Sequence, residues 1–224
     1  MKARLVPSFN AQTLEPDAAI WRGAPTTTVK LSGTPVKLQP TAMIRAAWAD
    51  KKVGAVGEVK VAAVHDGRTL AFRLEWADAK QDTTLEDTTS FPDAAAILLP
   101  SVPGAVGLLM TMGGEGLPVN AWYWRADEDG QGRQIVSQGL GTTETVDREQ
   151  VRARGVWRKG GWQVVIARAL SPKSAEPVAR LGVGDKTGYG VAVWEGSASE
   201  RAGIKAISTG WQELVLEDAS TEGR

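Results

Sequence analysis

Residues 58–76 constrain the fold of this chain more than any other stretch. Val59, Val61 and Ala63 alternate with Lys60, Ala62 and Val64, and His65-Asp66-Gly67-Arg68 follows as a turn. Leu70, Phe72, Leu74 and Trp76 then alternate with Ala71, Arg73 and Glu75. Period-two alternation on both sides of Asp-Gly marks a β-hairpin, because successive side chains of a strand point to opposite faces. One face is apolar and the other mixed, as in a sheet that covers a core. Further strands are expected at 26–31, 42–48, 94–99, 105–112, 119–125 and 134–140. A second hairpin is expected at 151–158 and 162–169, turning on Lys159-Gly160-Gly161, with closing strands at 189–194 and 211–217. The 25 glycines and 11 prolines suit short strands joined by turns. The expected class is all-β: an antiparallel β-sandwich of about ten strands, with a few short helices at 171–181 and 197–202.

A chain of 224 residues matches a single sandwich domain spanning 1–224, with an extended N-terminal segment at 1–20 and a loose tail at 218–224. Residues 94–114 carry no charge and are apolar enough to resemble a membrane span. Pro100, Pro103 and Gly104 interrupt them, and the expectation is two buried strands joined by a turn, with no membrane span. Residues 1–7 hold basic side chains but no apolar run after them, so no cleavable export signal is expected. Twenty-six basic residues balance 26 acidic ones, which leaves no net field to draw in nucleic acid or an anionic membrane.

The chain has no cysteine and one histidine. Disulfides, thiolate catalysis, ordinary Fe–S ligation and a covalently attached c-type haem are therefore excluded. So are a His-rich metal cluster and a Cys/His nucleophile. His65 reads as an exposed residue flanking the hairpin turn, and Glu75/Asp78 and Glu86/Asp87 read as ordinary surface acids. No Gly-x-Ser-x-Gly elbow, phosphate loop or dinucleotide fingerprint is present, so hydrolysis and nucleotide chemistry have no support. Nine tryptophans against three phenylalanines and two tyrosines admit two readings. They pack a core, or they form a stacking platform for a sugar ring or a planar cofactor. The sugar platform would make the chain a Trp-rich carbohydrate-binding module.

Two segments are more distinctive. The first runs Met110-Thr111-Met112-Gly113-Gly114-Glu115-Gly116-Leu117-Pro118-Val119-Asn120-Ala121-Trp122-Tyr123-Trp124-Arg125. The second is Val191-Ala192-Val193-Trp194-Glu195-Gly196, followed by the stretch from Ser197 to Ser208 that contains Gly203-Ile204-Lys205. Both resemble the haem-binding γ subunit of ethylbenzene dehydrogenase and its relatives, the γ subunits of dimethylsulfide dehydrogenase, chlorate and selenate reductases and steroid C25 dehydrogenase. The opening Met1-Lys2-Ala3-Arg4 through Val6-Pro7 and the tract Val61-Ala62-Ala63-Val64-His65-Asp66-Gly67 share the likeness, which spans nearly the whole chain.

That resemblance implies a β-sandwich holding one non-covalent b-type haem between an axial methionine and an axial lysine. Motif for motif these are Met112, followed directly by glycine, and Lys205, two residues after the loop glycine. Met110, two residues before Met112 on an expected strand, is the competing ligand or a pocket-lining residue. Asn120 and Trp122 are further haem-binding candidates. Without the likeness Met112 reads as core packing and Lys205 as a solvated loop residue. The resemblance further implies a non-catalytic electron-transfer subunit of a periplasmic heterotrimer. Molybdopterin and Fe–S clusters would reside in α and β partner subunits, and an external carrier such as a c-type cytochrome would exchange electrons with this haem.

Overall fold

The structure, a computed structural model, describes residues 1–86, 90–104, 107–128 and 130–218. Fifteen strands occur in chain order among them. They are β1 (Lys2–Leu5), β2 (Thr26–Gly33), β3 (Glu58–His65), β4 (Thr69–Ala77), β5 (Ala94–Pro100), β6 (Gly113–Gly114), β7 (Leu117–Arg125), β8 (Gly130–Gln131) and β9 (Arg133–Ser137). The rest are β10 (Glu144–Asp147), β11 (Arg152–Trp157), β12 (Gly161–Ala169), β13 (Lys186–Trp194), β14 (Ala206–Ser208) and β15 (Gln212–Leu216).

The main hydrogen-bonded path runs β10-β9-β7-β5-β13-β14-β2-β3-β4-β12-β11-β8. It folds into two layers because β2 serves both: its residues 26–30 pair with β3, and its residues 31–33 pair with β14. A second join closes the opposite edge, where β1 lies parallel to both β15 and β3 while β15 pairs with β13. Between the layers, Phe72 of β4 meets Trp122 of β7 at 5.9 Å and Tyr189 of β13 at 5.8 Å between ring centroids. Trp124 of β7 meets Trp162 of β12 at 4.9 Å. These rings lie in one core with Leu70, Leu74, Ile97, Leu99 and Ile166, all fully buried. The class is thus the all-β sandwich, antiparallel apart from the pairings of β1.

The hairpin β3–β4 forms in the register that its alternation demands, from Lys60–Glu75 to His65–Leu70. Its turn is closed by Asp66, whose carboxylate accepts the N–H groups of Arg68 (3.0 Å) and Thr69 (2.7 Å), and Gly67 takes φ +82°. His65, expected at the surface, is instead fully buried. The first segment of the chain covers it: Val6 N–H donates to the His65 carbonyl at 2.8 Å, and Nδ1 accepts Gly67 N–H at 3.3 Å. The same docking makes residues 2–5 a strand rather than part of a loose end, with Ala3 wholly buried.

Four local expectations are corrected. Residues 42–48, expected as a strand, form the α-helix α1 (Ala42–Ala47), with Thr41 accepting Ile44 N–H at 3.2 Å as N-cap. Ile44 and Trp48 also fit a spacing of four, and the alanines favour the helix. The strand expected at 105–112 begins on residues 105–106, which lie outside the described residues, and its remainder is a single 3₁₀ turn (Leu109–Thr111). Gly107 packs so closely on Gly113 that a Cβ there would lie 3.1 Å from the Gly113 Cα, a contact no strand pairing requires. The helix expected at 171–181 is irregular chain, since its backbone is taken by tertiary bonds: Ala179 N–H donates to Asn120 and Leu181 N–H to the Leu170 carbonyl. The other expected helix, at 197–202, shrinks to one 3₁₀ turn (Gly196–Ala198). Asp87 and the tail beyond 218 lie outside the described residues. Among those described, no helix is long and apolar enough to cross a membrane.

Candidate cofactor pocket

The outer face of one layer is as apolar as its inner face. Along β5, Ala94, Ala96 and Leu98 point outward while Ala95, Ile97 and Leu99 enter the core between the layers. On β7, Val119, Ala121 and Tyr123 point outward, and Trp122 and Trp124 inward. Burial on both faces explains the unbroken apolar run at 94–99. Ala121 pairs with Leu98, and Tyr123 with Ala96. The small side chains of Ala96 and Ala121 leave a flat floor beneath a cavity of about 310 Å³, within the usual range of small-molecule sites. Its walls come from Leu38, Gln39 and Ile44 before and within α1, from Met110 and Met112, from Leu140, Gly141 and Thr143, and from Trp194 and Lys205.

Met112 reaches this cavity through a strained turn. Its backbone is left-handed (φ 58°), unusual for a residue with a side chain, and its N–H donates to the Leu109 carbonyl at 3.0 Å. Gly113 follows at φ +90°, where a Cβ would fall 2.5 Å from the Leu117 carbonyl oxygen. The backbone is over-determined here: Gly113 N–H bonds the Leu108 carbonyl (3.1 Å), and Gly139 N–H bonds the Met112 carbonyl (3.1 Å). Met110 lines the cavity too, from the same turn rather than from a shared strand face.

Lys205 enters from the other side, one residue before β14. Period two places it with Ile207, on the outer face. Its side chain is 5% exposed, and among the described residues no hydrogen bond or ion pair meets its ammonium group. The Trp194 ring stands 5.3 Å from Nζ. Burial pushes the amine down to about 8. The loop that carries Lys205 is pinned by buried polar groups. Thr34 Oγ1 donates to the Gly203 carbonyl (2.6 Å) and accepts Lys205 N–H (3.3 Å), and Gln39 Nε2 donates to the same carbonyl (2.9 Å). Glu200, whose carboxyl burial holds above its usual range, accepts the N–H groups of Gly54 (2.6 Å), Ala55 (3.0 Å) and Glu195 (3.2 Å).

Met112, Lys205 and Met110 are thus brought together, whereas Asn120 and Trp122 are not. Both point from β7 into the opposite face, because residues one apart on a strand alternate. Asn120 Oδ1 accepts Arg168 Nη1 (2.7 Å), Trp122 Nε1 (3.2 Å) and Ala179 N–H (3.2 Å). Arg168 is itself buried, with its guanidinium 4.5 Å from the Trp122 ring and donating also to Gln134 Oε1 (2.6 Å) and the Ala179 carbonyl. This network cross-links the layers beneath the pocket floor. Seven of the nine tryptophans are buried, and only Trp194 lines the cavity, so the core-packing reading of these residues prevails over a stacking platform. Alternation in the Asn-Ala-Trp-Tyr tract could have identified Tyr123 as the pocket residue. Its phenol is pushed by burial up to about 12 and stays neutral. A larger groove of about 710 Å³ crosses the outer face of the other layer, but it is walled by Lys30, Glu58, Lys60, Glu75 and Arg158 and offers no soft donor.

Fold and pocket define the class: a β-sandwich with an apolar slot on the outer face of one sheet, framed by a thioether and a buried amine. The chain belongs to the ethylbenzene dehydrogenase family, whose pattern matches residues 18–147 and 135–206. It is 35% identical over 214 residues to the chlorate reductase subunit gamma of Ideonella dechloratans, covering 94% of this chain and 83% of that one. An inferred respiratory nitrate reductase heme subunit of Haloferax mediterranei is 30% identical over 197 residues, covering 88% and 66%. The dimethylsulfide dehydrogenase subunit gamma of Rhodovulum sulfidophilum is 31% identical over 146 residues, covering 62% and 53%. Among solved structures, a family 9 carbohydrate-binding module from Caldicellulosiruptor kristjanssonii in complex with glucose shares the fold. It matches at TM-score 0.54 and 12% identity, over 99% of this chain and 97% of that one.

Proposed function

We propose that this chain is the haem-carrying, electron-transfer subunit of a molybdenum-dependent oxidoreductase complex and that Met112 and Lys205 are the axial ligands of one non-covalent b-type haem. The names of the relatives support the coarser part: two are γ subunits of a reductase and a dehydrogenase, and one is a heme subunit. One observation carries the finer part. A buried lysine amine that meets no hydrogen bond or ion pair among the described residues and a methionine held in a strained turn line the same apolar cavity.

The residues present fit a haem. Ala96 and Ala121 offer a flat surface for a planar ring, and among the described residues the Lys205 amine lacks a partner, a place an iron would take. Lysine ligates only as a neutral amine, and burial, by pushing Lys205 down to about 8, makes that state far easier to reach than for an exposed lysine. Methionine sulfur is a soft donor that favours ferrous iron and raises the potential. Bound there, a haem supplies one-electron exchange. The apolar walls exclude water, while Thr34, Gln39 and Glu200 hold the Lys205 loop in place.

In this reading all 224 residues act as one domain beside a molybdopterin α subunit and an Fe–S β subunit, and a c-type cytochrome or similar carrier meets the haem. Catalysis belongs to the α subunit. The complex is periplasmic, reached by export with a signal-bearing partner; finding it only in cytoplasmic fractions removes this part of the proposal. A visible spectrum tests the main claim. Purified chain should show a Soret band that shifts on dithionite reduction, with haem extractable by acidic organic solvent. Replacing Met112 or Lys205 should disturb low-spin ligation, and replacing Met110 much less. A colourless chain whose tryptophan fluorescence is quenched by sugars would make it a carbohydrate-binding module instead.

A further inference from the structure

We propose that Asp78, Asp93 and Glu195 form a calcium site that ties together the ends of three strands. Asp78 directly follows β4, Asp93 directly precedes β5 and Glu195 directly follows β13. Each offers a carboxylate oxygen, and these three oxygens all lie within 4.8 Å of one another. Oxygens bound to one calcium ion at about 2.3–2.6 Å can be no more than about 5 Å apart, so the three can share an ion without moving far.

The surroundings point to a cation. Asp93 is wholly buried, accepting Gly196 N–H (2.8 Å) on Oδ1 and both Asp82 N–H (2.8 Å) and Trp162 Nε1 (2.9 Å) on Oδ2. Glu195 caps the turn after β13 by accepting Ala198 N–H (2.7 Å) and the Ser197 hydroxyl (2.6 Å). Asp78, 5% exposed, accepts Lys80 N–H (3.0 Å) on Oδ1, but its Oδ2 is buried with no hydrogen-bond partner among the described residues. Trp76 Nε1 lies beside it without reaching hydrogen-bond geometry, and Oδ2 of Asp82 is also buried without a partner among the described residues. Among the described residues the nearby cation is Lys80, which pairs with Asp82 and is itself 66% exposed. Asp78, Asp93 and Glu195 have no ion-pair partner among the described residues. Buried carboxylates left unneutralised are costly, and an orphaned buried oxygen calls for a missing ion or water.

The donor set selects the metal. Oxygen donors alone suit calcium, magnesium or manganese rather than zinc or copper. Calcium takes clustered carboxylates in irregular, flexible geometry, whereas magnesium demands a small octahedron and keeps its waters, so the cluster favours calcium. Glu195 stands at the root of the loop that ends in Lys205, so the ion would fasten that loop to β4 and β5. The site is independent of whether the pocket holds haem.

Terbium provides the test, since excited indoles sensitise its emission at short range and Trp162 contacts Asp93. With the full chain stripped by chelator, terbium emission excited through tryptophan should saturate at one ion per chain and be displaced by calcium. Calcium should also raise Tm. Asp78→Asn and Glu195→Gln should each weaken calcium binding tenfold or more in calorimetry. Absent emission, emission that calcium does not displace, or unchanged affinity in both variants overturns the site. If either variant fails to fold, Trp162→Phe decides: emission must drop, and undiminished emission overturns the assignment.

Discussion

The indole of Trp194 faces the Lys205 amine at 5.3 Å and, through Nε1, donates to the carbonyl of Ala202 at 3.0 Å. One aromatic side chain thereby covers the amine and fastens the loop that carries it. A ring face favours the ammonium form by about 0.5–2 kcal/mol. Burial outweighs this, and the net direction for Lys205 is downward.

The first consequence is a pH-dependent stability of the haem-free chain. Lys205 sits at about 8 when folded against 10.5 when exposed. Below about pH 8 both states are protonated, and the folded state bears the full cost of the buried ammonium. Between about 8 and 10.5 the folded state sheds its proton first, so the unfolded state binds more protons and stability rises, by about 3 kcal/mol in all. Denaturant titrations across this range should show the rise in wild type. Lys205→Met should be more stable than wild type at pH 7 and lack this component of the slope.

Haem loading should obey the same proton. Ligation by a neutral amine releases the proton below about pH 8 and nothing above it. Haem affinity, measured by Soret titration, should rise about tenfold per pH unit up to about 8 and then level off. A flat profile from pH 6 to 9 would rule out Lys205 as a ligand.

Gly113 controls the presentation of Met112. Gly113→Ala adds a Cβ 2.5 Å from the Leu117 carbonyl oxygen in a left-handed backbone. A loss of about 2–4 kcal/mol is expected from the steric overlap and the φ strain together. In any folded fraction, a weakened low-spin haem spectrum should accompany the fall in Tm. Gly114→Ala, whose Cβ meets nothing within 4 Å, should leave both unchanged.

Arg168 should matter for folding and not for ligation. Replacing it with Ala removes the donor shared by Asn120, Gln134 and Ala179 and should cost about 3–5 kcal/mol in chemical denaturation. Arg168→Lys should recover little, because an ammonium cannot span acceptors arranged for a fork. The Soret position of the folded fraction should not move.

Particular residues show how much was legible. The β3–β4 and β11–β12 hairpins followed from alternation about Asp66-Gly67 and Lys159-Gly160-Gly161, since each is a local relation. The burial of His65 escapes the sequence because the segment that covers it lies about sixty residues earlier in the chain and pairs in parallel, which no local pattern reports. Helix α1 is not legible in the sequence because six residues carry too few positions to separate a period of two from a spacing of four. Asn120 and Trp122 belonged to the tract that pointed to the pocket, yet strand alternation sends them to the opposite face from Ala121 and Tyr123.

From its residues alone this chain is bound to be a strand-rich fold without thiol chemistry, because backbone geometry converts alternation directly into faces and the ligand inventory needs only counting. Which strand faces another layer and which faces a cavity was decided by the tertiary structure. Lys205 and Met112 reach one slot only because β14, β13, β5 and β7 pair in a single register, and the lysine loses its water only when the chain from Thr34 to Ile44 closes over it. Pairing and desolvation are properties of the assembled sheets, and no stretch of sequence carries them by itself.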